Sequence, residues 1–187
     1  MTKQELHDLV KSIDPINAEY IIADSVVLRE FNVLNRFKDE SIPLGYKLSG
    51  DEQERRKSII EMCHRDLAKK IAKFGDERLT PANVKVGDGA TVLLWSDYHA
   101  GTIVKVTKAT ITIRRDKATL DPNFKPEFIP GGFAAHCTNQ NEQRWSYEPN
   151  ENGHLTTLHW SKKYNRYGTP GNPSAIKGRH EFYDYNF

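Results

Sequence analysis

The sequence has only two cysteines in 187 residues, Cys63 and Cys137. Two thiols cannot build a disulfide framework or a four-cysteine zinc site. No run of about 18 apolar residues occurs, which argues against a membrane-spanning helix. Residues Met1 to Asp8 contain no apolar stretch of the kind a signal peptide needs, so none is expected. The phosphate-cradling GxxxxGK(S/T) pattern is missing, as are GxGxxG behind a strand, GxSxG and HExxH. The common enzyme signatures are therefore absent. No internal repeat or low-complexity tract stands out. Charge of one sign is also scarce: 27 Lys and Arg face 25 Asp and Glu, a net +2. That balance implies no strong overall preference for nucleic acid or membrane. What is present suffices for a core, with 37% hydrophobic and 10% aromatic residues. The expectation is a cytoplasmic protein of a reducing compartment, in one domain or two small ones.

The average conceals two unlike halves. Residues 1–80 carry 14 basic and 15 acidic side chains, and residues 81–187 carry 13 and 10, so the halves stand at -1 and +3. Fourteen of the 19 aromatic residues fall in the second half, with all three Trp (Trp95, Trp145, Trp160) and five of the seven His. Aromatic and β-branched residues suit a pleated sheet, whereas the Leu, Glu, Lys and Arg of the first half favour helices. The composition changes at Gly75 to Pro81, which predicts a helical region over 1–80 and a β domain over 81–187.

The first half reads as about three helices. Thr2-x-x-Glu5 is a capping-box pattern ahead of Leu6, Leu9, Val10 and Ile13, and Asp14-Pro15 stops that helix. Asn17 is placed to cap a second helix, whose apolar residues run from Tyr20 and Ile21 to Leu34 and Phe37 at helical spacing. Ile42-Pro43-Leu44-Gly45 breaks it. Ser49-x-x-Glu52 offers another capping box for a helix over about 50–74, with Ile60, Cys63, Leu67, Ile71 and Phe74 on one stripe. Gly75 stands where a C-cap glycine belongs. The basic groups Arg55-Arg56-Lys57 and Lys69-Lys70-Lys73 read as a solvated face. Glu52, Glu61 and Asp66 each lie four residues before a cation, Arg56, Arg65 and Lys70.

The second half reads as short strands and tight turns. Ala90 to Trp95, Thr102 to Val106 and Thr110 to Arg115 are the first three strands, with a turn at Ser96 to Gly101. Arg144 to Glu148 and His154 to Trp160 suggest a hairpin across Pro149 to Gly153. Residues 121–143 form a long, irregular loop. The aromatic end, Glu181 to Phe187, is expected to close the sheet as its last strand. Strands this short and close predict a small closed or nearly closed antiparallel barrel, and the whole chain an α+β protein.

Three groups of residues could carry chemistry. His136-Cys137 with His154 and His159 match no zinc-ligand spacing, and nothing near Cys137 activates a thiolate. Asp97, Tyr98 and His99 in the first turn can share a rim with Arg114, Arg115, Asp116 and Lys117 after the third strand. An Asp97 or Asp116 carboxylate beside His99 would orient an imidazole for acid–base work. The structural alternative is a bracing network, with Arg115 on Asp97 or Asp116 and His99 packed beside Trp95. The third group is Lys162-Lys163-Tyr164-Asn165-Arg166-Tyr167 with Lys177-Gly178-Arg179-His180. Cations interleaved with Tyr offer phosphate contacts and stacking faces for a single strand, or else form a polar hairpin covering the barrel.

Gly87-Asp88-Gly89-Ala90-Thr91-Val92, Trp95 to Ile103 and Arg115-Asp116-Lys117-Ala118-Thr119 resemble a family of uncharacterised bacteriophage and mobile-element proteins. Tyr147-Glu148-Pro149-Asn150 and Gly178 to Asp184 follow the same pattern. The resemblance covers about residues 84–187 and implies a small SH3-like barrel with no assigned reaction. It leaves the helical half untouched, and Tyr98 departs from it where a basic residue would be expected.

Two functions follow as expectations. The first is a non-enzymatic accessory protein that binds a host protein or nucleoprotein, with direct nucleic-acid binding included. Its sharpest version inhibits a host defence nuclease, as anti-CRISPR proteins do. Its partner-binding residues are Tyr98, His99, Arg114, Lys117, Lys162, Lys163, Arg166, Tyr167 and Arg179, and it needs no cofactor or metal. The second is a small metal-dependent hydrolase or nuclease using Asp97, His99, Arg115 and Asp116.

Overall fold

The Thr2 capping box forms as its residues require. The Glu5 amide donates to the Thr2 hydroxyl at 3.1 Å, and the Thr2 amide donates to the Glu5 carboxylate at 2.7 Å. Helix α1 then runs over Lys3–Ile13 and buries Leu6 and Val10. The computed structural model describes residues 1–42, 44, 51–131 and 135–186. The second capping box, at Ser49, and most of the Pro43–Gly45 break lie outside those residues.

The single second helix expected from Tyr20 to Phe37 is two. Helix α2 spans Ala18–Ile22 and α3 spans Ser25–Lys38. Asp24 divides them: its carboxylate accepts from the amides of Val26 and Val27 at 2.9 and 3.2 Å, opening a new helix inside the apolar stripe. Asn17 makes no side-chain cap. Its amide group donates instead to the Asp14 carboxylate at 2.7 Å.

Helix α4 spans Glu52–Glu77, so Gly75 lies within it and is not its cap. The glycine serves a close approach, since a Cβ there would meet the Asp14 carboxylate. Leu67, Ile71 and Phe74 of α4 join Leu6, Val10, Ile21, Val27, Phe31 and Leu34 in one core.

Arg56 is not part of a solvated face. It is buried, and its guanidinium donates to the carbonyls of Phe37, Asp39 and Ile42 at 2.9–3.0 Å and to Glu52 at 3.1 Å. The last carbonyls of a helix have no partner within it, and the Arg56 fork supplies donors for the end of α3. The i, i+4 spacing did identify the Glu52 partner.

The chain divides into two compact units, Met1–Asp76 and Glu77–Phe187. The second is a mostly antiparallel β structure, so the fold class is α+β. Its strands are β1 (Gly89–Leu93), β2 (Tyr98–Val106), β3 (Thr110–Arg115), β4 (Lys117–Leu120), β5 (Phe128–Ile129) and β6 (His136–Cys137). They continue with β7 (Trp145–Glu148), β8 (Leu155–Ser161), β9 (Arg166–Tyr167) and β10 (Ser174–Lys177). Six form one sheet in the order β10-β1-β2-β3-β8-β9, while β4 pairs with β7 and β5 with β6. No closed barrel is found among the described residues. One bridge, Gly168 to Ser174, joins the chain after β9 to the start of β10.

Period-two alternation sets the faces. Ile111 and Ile113 of β3 point into a core with Val92, Ile103, Leu158 and Tyr167, while Thr112 turns out to share a 3.0 Å hydrogen bond with Thr157.

Two expected pairings are different. Strands β7 and β8 do not form a hairpin with each other: β7 pairs with β4 and β8 with β3. Together they make one long antiparallel ribbon, interrupted at Asp116 on one arm and at residues 149–154 on the other. The loop over 121–143 is its tip and carries β5, β6 and a 3-10 turn at Gln140–Glu142. Nor is the C-terminal segment the last strand. Residues Ser174–Lys177 take that place beside β1, and Phe182 makes only an isolated bridge to Tyr98. Gln140 and Gln143 hold the segment by side chain instead, with Tyr185 and Tyr183 amides donating to them at 3.0 and 3.1 Å.

Replacing Arg56 by Ala leaves the carbonyls at the end of α3 without donors. The expected loss is about 2 kcal/mol by urea denaturation. Lys57→Ala, on the exposed side of the same turn, should change stability by less than about 0.5 kcal/mol. Equal effects would show that Arg56 acts as a surface cation only.

Candidate functional site

The four residues expected to form a catalytic rim do not converge on a ligand. Asp97, Arg115 and Asp116 are each engaged by protein, and the C-terminal segment supplies most of the partners. Asp116, between β3 and β4, is 4% exposed. Its carboxylate accepts from the Thr102 hydroxyl at 2.8 Å and from Arg179 Nε at 2.7 Å, and Arg179 Nη2 also donates to Thr102. Gly89 permits this geometry, since a Cβ on it would come within 2.7 Å of Arg179 Nη1.

Arg115 donates not to Asp97 or Asp116 but to Glu181, at 2.9 Å. The other Glu181 oxygen accepts from the Ala100 amide at 2.7 Å, and the Glu181 amide donates to the Tyr147 hydroxyl. Burial pushes the Tyr147 phenol above its ordinary pKa. Asp97 accepts from the Asp184 amide at 2.9 Å. The result is a bracing network, as the structural alternative held, but through Arg179 and Glu181. The sequence contained both residues, in Gly178 to Asp184. Nothing local revealed that they would reach back more than sixty positions.

His99, expected beside Trp95, is half-buried on β2. It lines a hollow of about 330 Å³ with Val92, Ile113, Arg115, His154 and Pro173. Burial, and next the Arg115 guanidinium, hold its imidazole below the ordinary pKa, against Glu181 and Asp97. Among the described residues, no group of three or more His, Cys, Asp and Glu could hold a metal ion. Cys137 is buried, and His136, His154 and His159 are exposed on β6, before β8 and on β8.

Trp95 stands 84% exposed in the turn from β1 to β2. Leu94 and Tyr98 beside it are also exposed, and Tyr98 stacks at a tilt on Phe182 with centroids 5.6 Å apart. These three residues, Arg166 and the Gly171–Ser174 loop line a hollow of about 380 Å³. Leu94 and Pro173 also line the His99 hollow, so the two share a ridge. The turn is held by the Leu94 amide on the Asp97 carbonyl at 2.9 Å and by paired backbone bonds between Tyr98 and Phe182. An indole left in water on a pinned turn is the feature to explain. A larger hollow, about 820 Å³, lies under the 121–144 loop. Its polar lining is used by the loop itself, as where Asn139 bonds Glu127 and Lys125.

The expected partner-binding residues divide accordingly. Tyr167 is fully buried with its ring edge-on to Trp160, so it offers no face to a partner. Arg179 is spent on Asp116, and Lys117 pairs with Glu148 at 3.3 Å. Arg114 lies half-buried on β3, its Nε without a partner among the described residues. Lys162 and Lys163 are exposed in the turn from β8 to β9, Lys163 over the Tyr164 ring, and Arg166 reaches the Trp95 hollow. Among the described residues no carboxylate pairs with Arg166, Lys162 or Lys163. The sequence reading missed Trp95 as a surface residue because an aromatic after a β-strand run reads as core.

Two outcomes test this account. Asp116→Ala removes the acceptor of both Thr102 and Arg179 and should cost about 2 kcal/mol in chemical denaturation. A loss below about 1 kcal/mol would mean that the pair braces nothing. For His99 the unfolded ring binds a proton more readily than the folded one. Stability should therefore fall as pH drops below about 6.5. His99→Gln should flatten part of that decline, and an unchanged pH profile would contradict the assignment. No family model matches the chain, and no curated protein or solved structure matches it either.

Proposed function

We propose that this is a non-enzymatic binding protein that engages its partner through the Trp95 face of the second unit. The exposure of Trp95 on a pinned turn carries the reading. Trp, Tyr and Arg are the residue types that dominate binding energy at interfaces, and Trp95, Tyr98 and Arg166 stand around one hollow. A turn already fixed by backbone bonds loses little freedom on binding.

The bridge between Gly168 and Ser174 supports reading the curled sheet as a small SH3-like barrel. Together with the resemblance of residues 84–187 to phage and mobile-element proteins, it favours an action in the bacterial cytoplasm as part of the proposal. The partner is then a host protein or nucleoprotein. An anti-CRISPR-like inhibitor of a defence nuclease is the sharpest form of the proposal. Metal-dependent hydrolysis gains no support, because Asp116, Arg115 and Asp97 are each held by protein groups.

The test is affinity capture of the full-length chain from bacterial lysate, with and without nuclease treatment. A partner retained by the native protein should be lost with Trp95→Ala, while Lys117→Ala retains it. Equal recovery with Trp95→Ala would remove the Trp95 face from the function.

A further inference from the structure

The cations of the second unit fall into two sets. Arg115, Arg179 and Lys117 are matched by Glu181, Asp116 and Glu148. Arg166, Lys162 and Lys163 have no carboxylate partner among the described residues, and all three lie within five positions at the turn from β8 to β9. The Arg166 Nε is buried without a hydrogen-bond partner among those residues, although a buried charged donor ordinarily has one. Arg166 lines the hollow that Trp95 and Tyr98 also line, and among the described residues no carboxylate lines it.

A cation without a carboxylate partner among the described residues thus stands beside two aromatic side chains. Across the shared ridge of Leu94 and Pro173 lies the second hollow, again without a carboxylate in its lining among the described residues. Its walls of Val92, Ile113 and Pro173 are apolar, and His99, His154 and Arg115 supply polar edges. A flat ring with hydrogen-bonding edges suits that lining, and a repeating chain of such rings joined by anions suits both hollows together. A folded duplex keeps its base faces stacked and cannot present them to Trp95.

Resting on the reading of the Trp95 face as a binding surface, we infer that its occupant is a single strand of nucleic acid. Bases stack on Trp95 and Tyr98, and the phosphates meet Arg166, Lys162 and Lys163. In a nucleoprotein partner, this is the strand that the protein grips.

Fluorescence anisotropy with an end-labelled oligothymidylate of about 20 nucleotides tests this on the full-length protein. The strand should bind at low salt, with a log–log salt slope of about -2 for three phosphate contacts. Arg166→Gln should weaken binding and reduce the slope by about 0.7, whereas Trp95→Ala should weaken binding about tenfold with the slope unchanged. Trp95→Phe should restore much of the affinity, and a duplex of the same length should compete poorly. Because Trp95 is exposed, its variants should melt as the native protein does.

The inference is overturned if the strand does not bind at low salt, if Trp95→Ala binds it normally, or if the duplex competes as well. Suppose that the oligonucleotide fails but a nuclease-resistant protein is captured and lost with Trp95→Ala. The occupant is then a protein, and the Trp95 face remains the binding surface. Capture that ignores Trp95 rejects the face itself.

Discussion

The second unit depends on one ion pair, the buried Asp116 with the partly exposed Arg179. Taking a carboxylate out of water is costly unless its oxygens are filled by well-placed donors. Here the Thr102 hydroxyl and Arg179 Nε fill them, and Arg179 lies across the bare backbone of Gly89 to do so. The pair ties the interruption between β3 and β4 to the segment beyond β10. From Arg179 the chain delivers Glu181 to Arg115 and the Ala100 amide, then Phe182 to the backbone of Tyr98. Each step fixes the β1–β2 turn more firmly.

That chain of contacts separates structure from function among the charged residues. Groups inside the network are mutually neutralised, so they brace the sheet and have little capacity left for a ligand. The cations around the β8–β9 turn are outside it, and one of them reaches the Trp95 hollow. The same bracing explains how an indole can sit in water without the turn collapsing over it.

The first unit makes the same point with a different residue. Arg56 looked like one cation in a self-neutralised row, and its pairing with Glu52 was legible from spacing. Its other role was not, because the carbonyls it donates to lie 14 to 19 positions earlier, around the end of α3. Asp24 shows a local version of the limit. The stripe from Tyr20 to Phe37 is continuous in hydrophobicity, yet one carboxylate capping two amides divides it. Periodicity records which face is buried and is silent about where hydrogen bonds end.

The sequence by itself determined what depends on neighbours in the chain. The α1 capping box, the α4 stripe, the alternation in β2 and β3 and the α+β division all come from residues a few positions apart. Tertiary structure decided the rest. It chose β4 over β8 as the partner of β7, Glu181 over Asp97 as the partner of Arg115, and exposure over burial for Trp95. Those choices are made by groups 31 to 87 positions apart, whose meeting depends on how the whole sheet curls. Composition placed the cationic excess in the second half, but only the folded pairing showed which of those charges are still without a carboxylate.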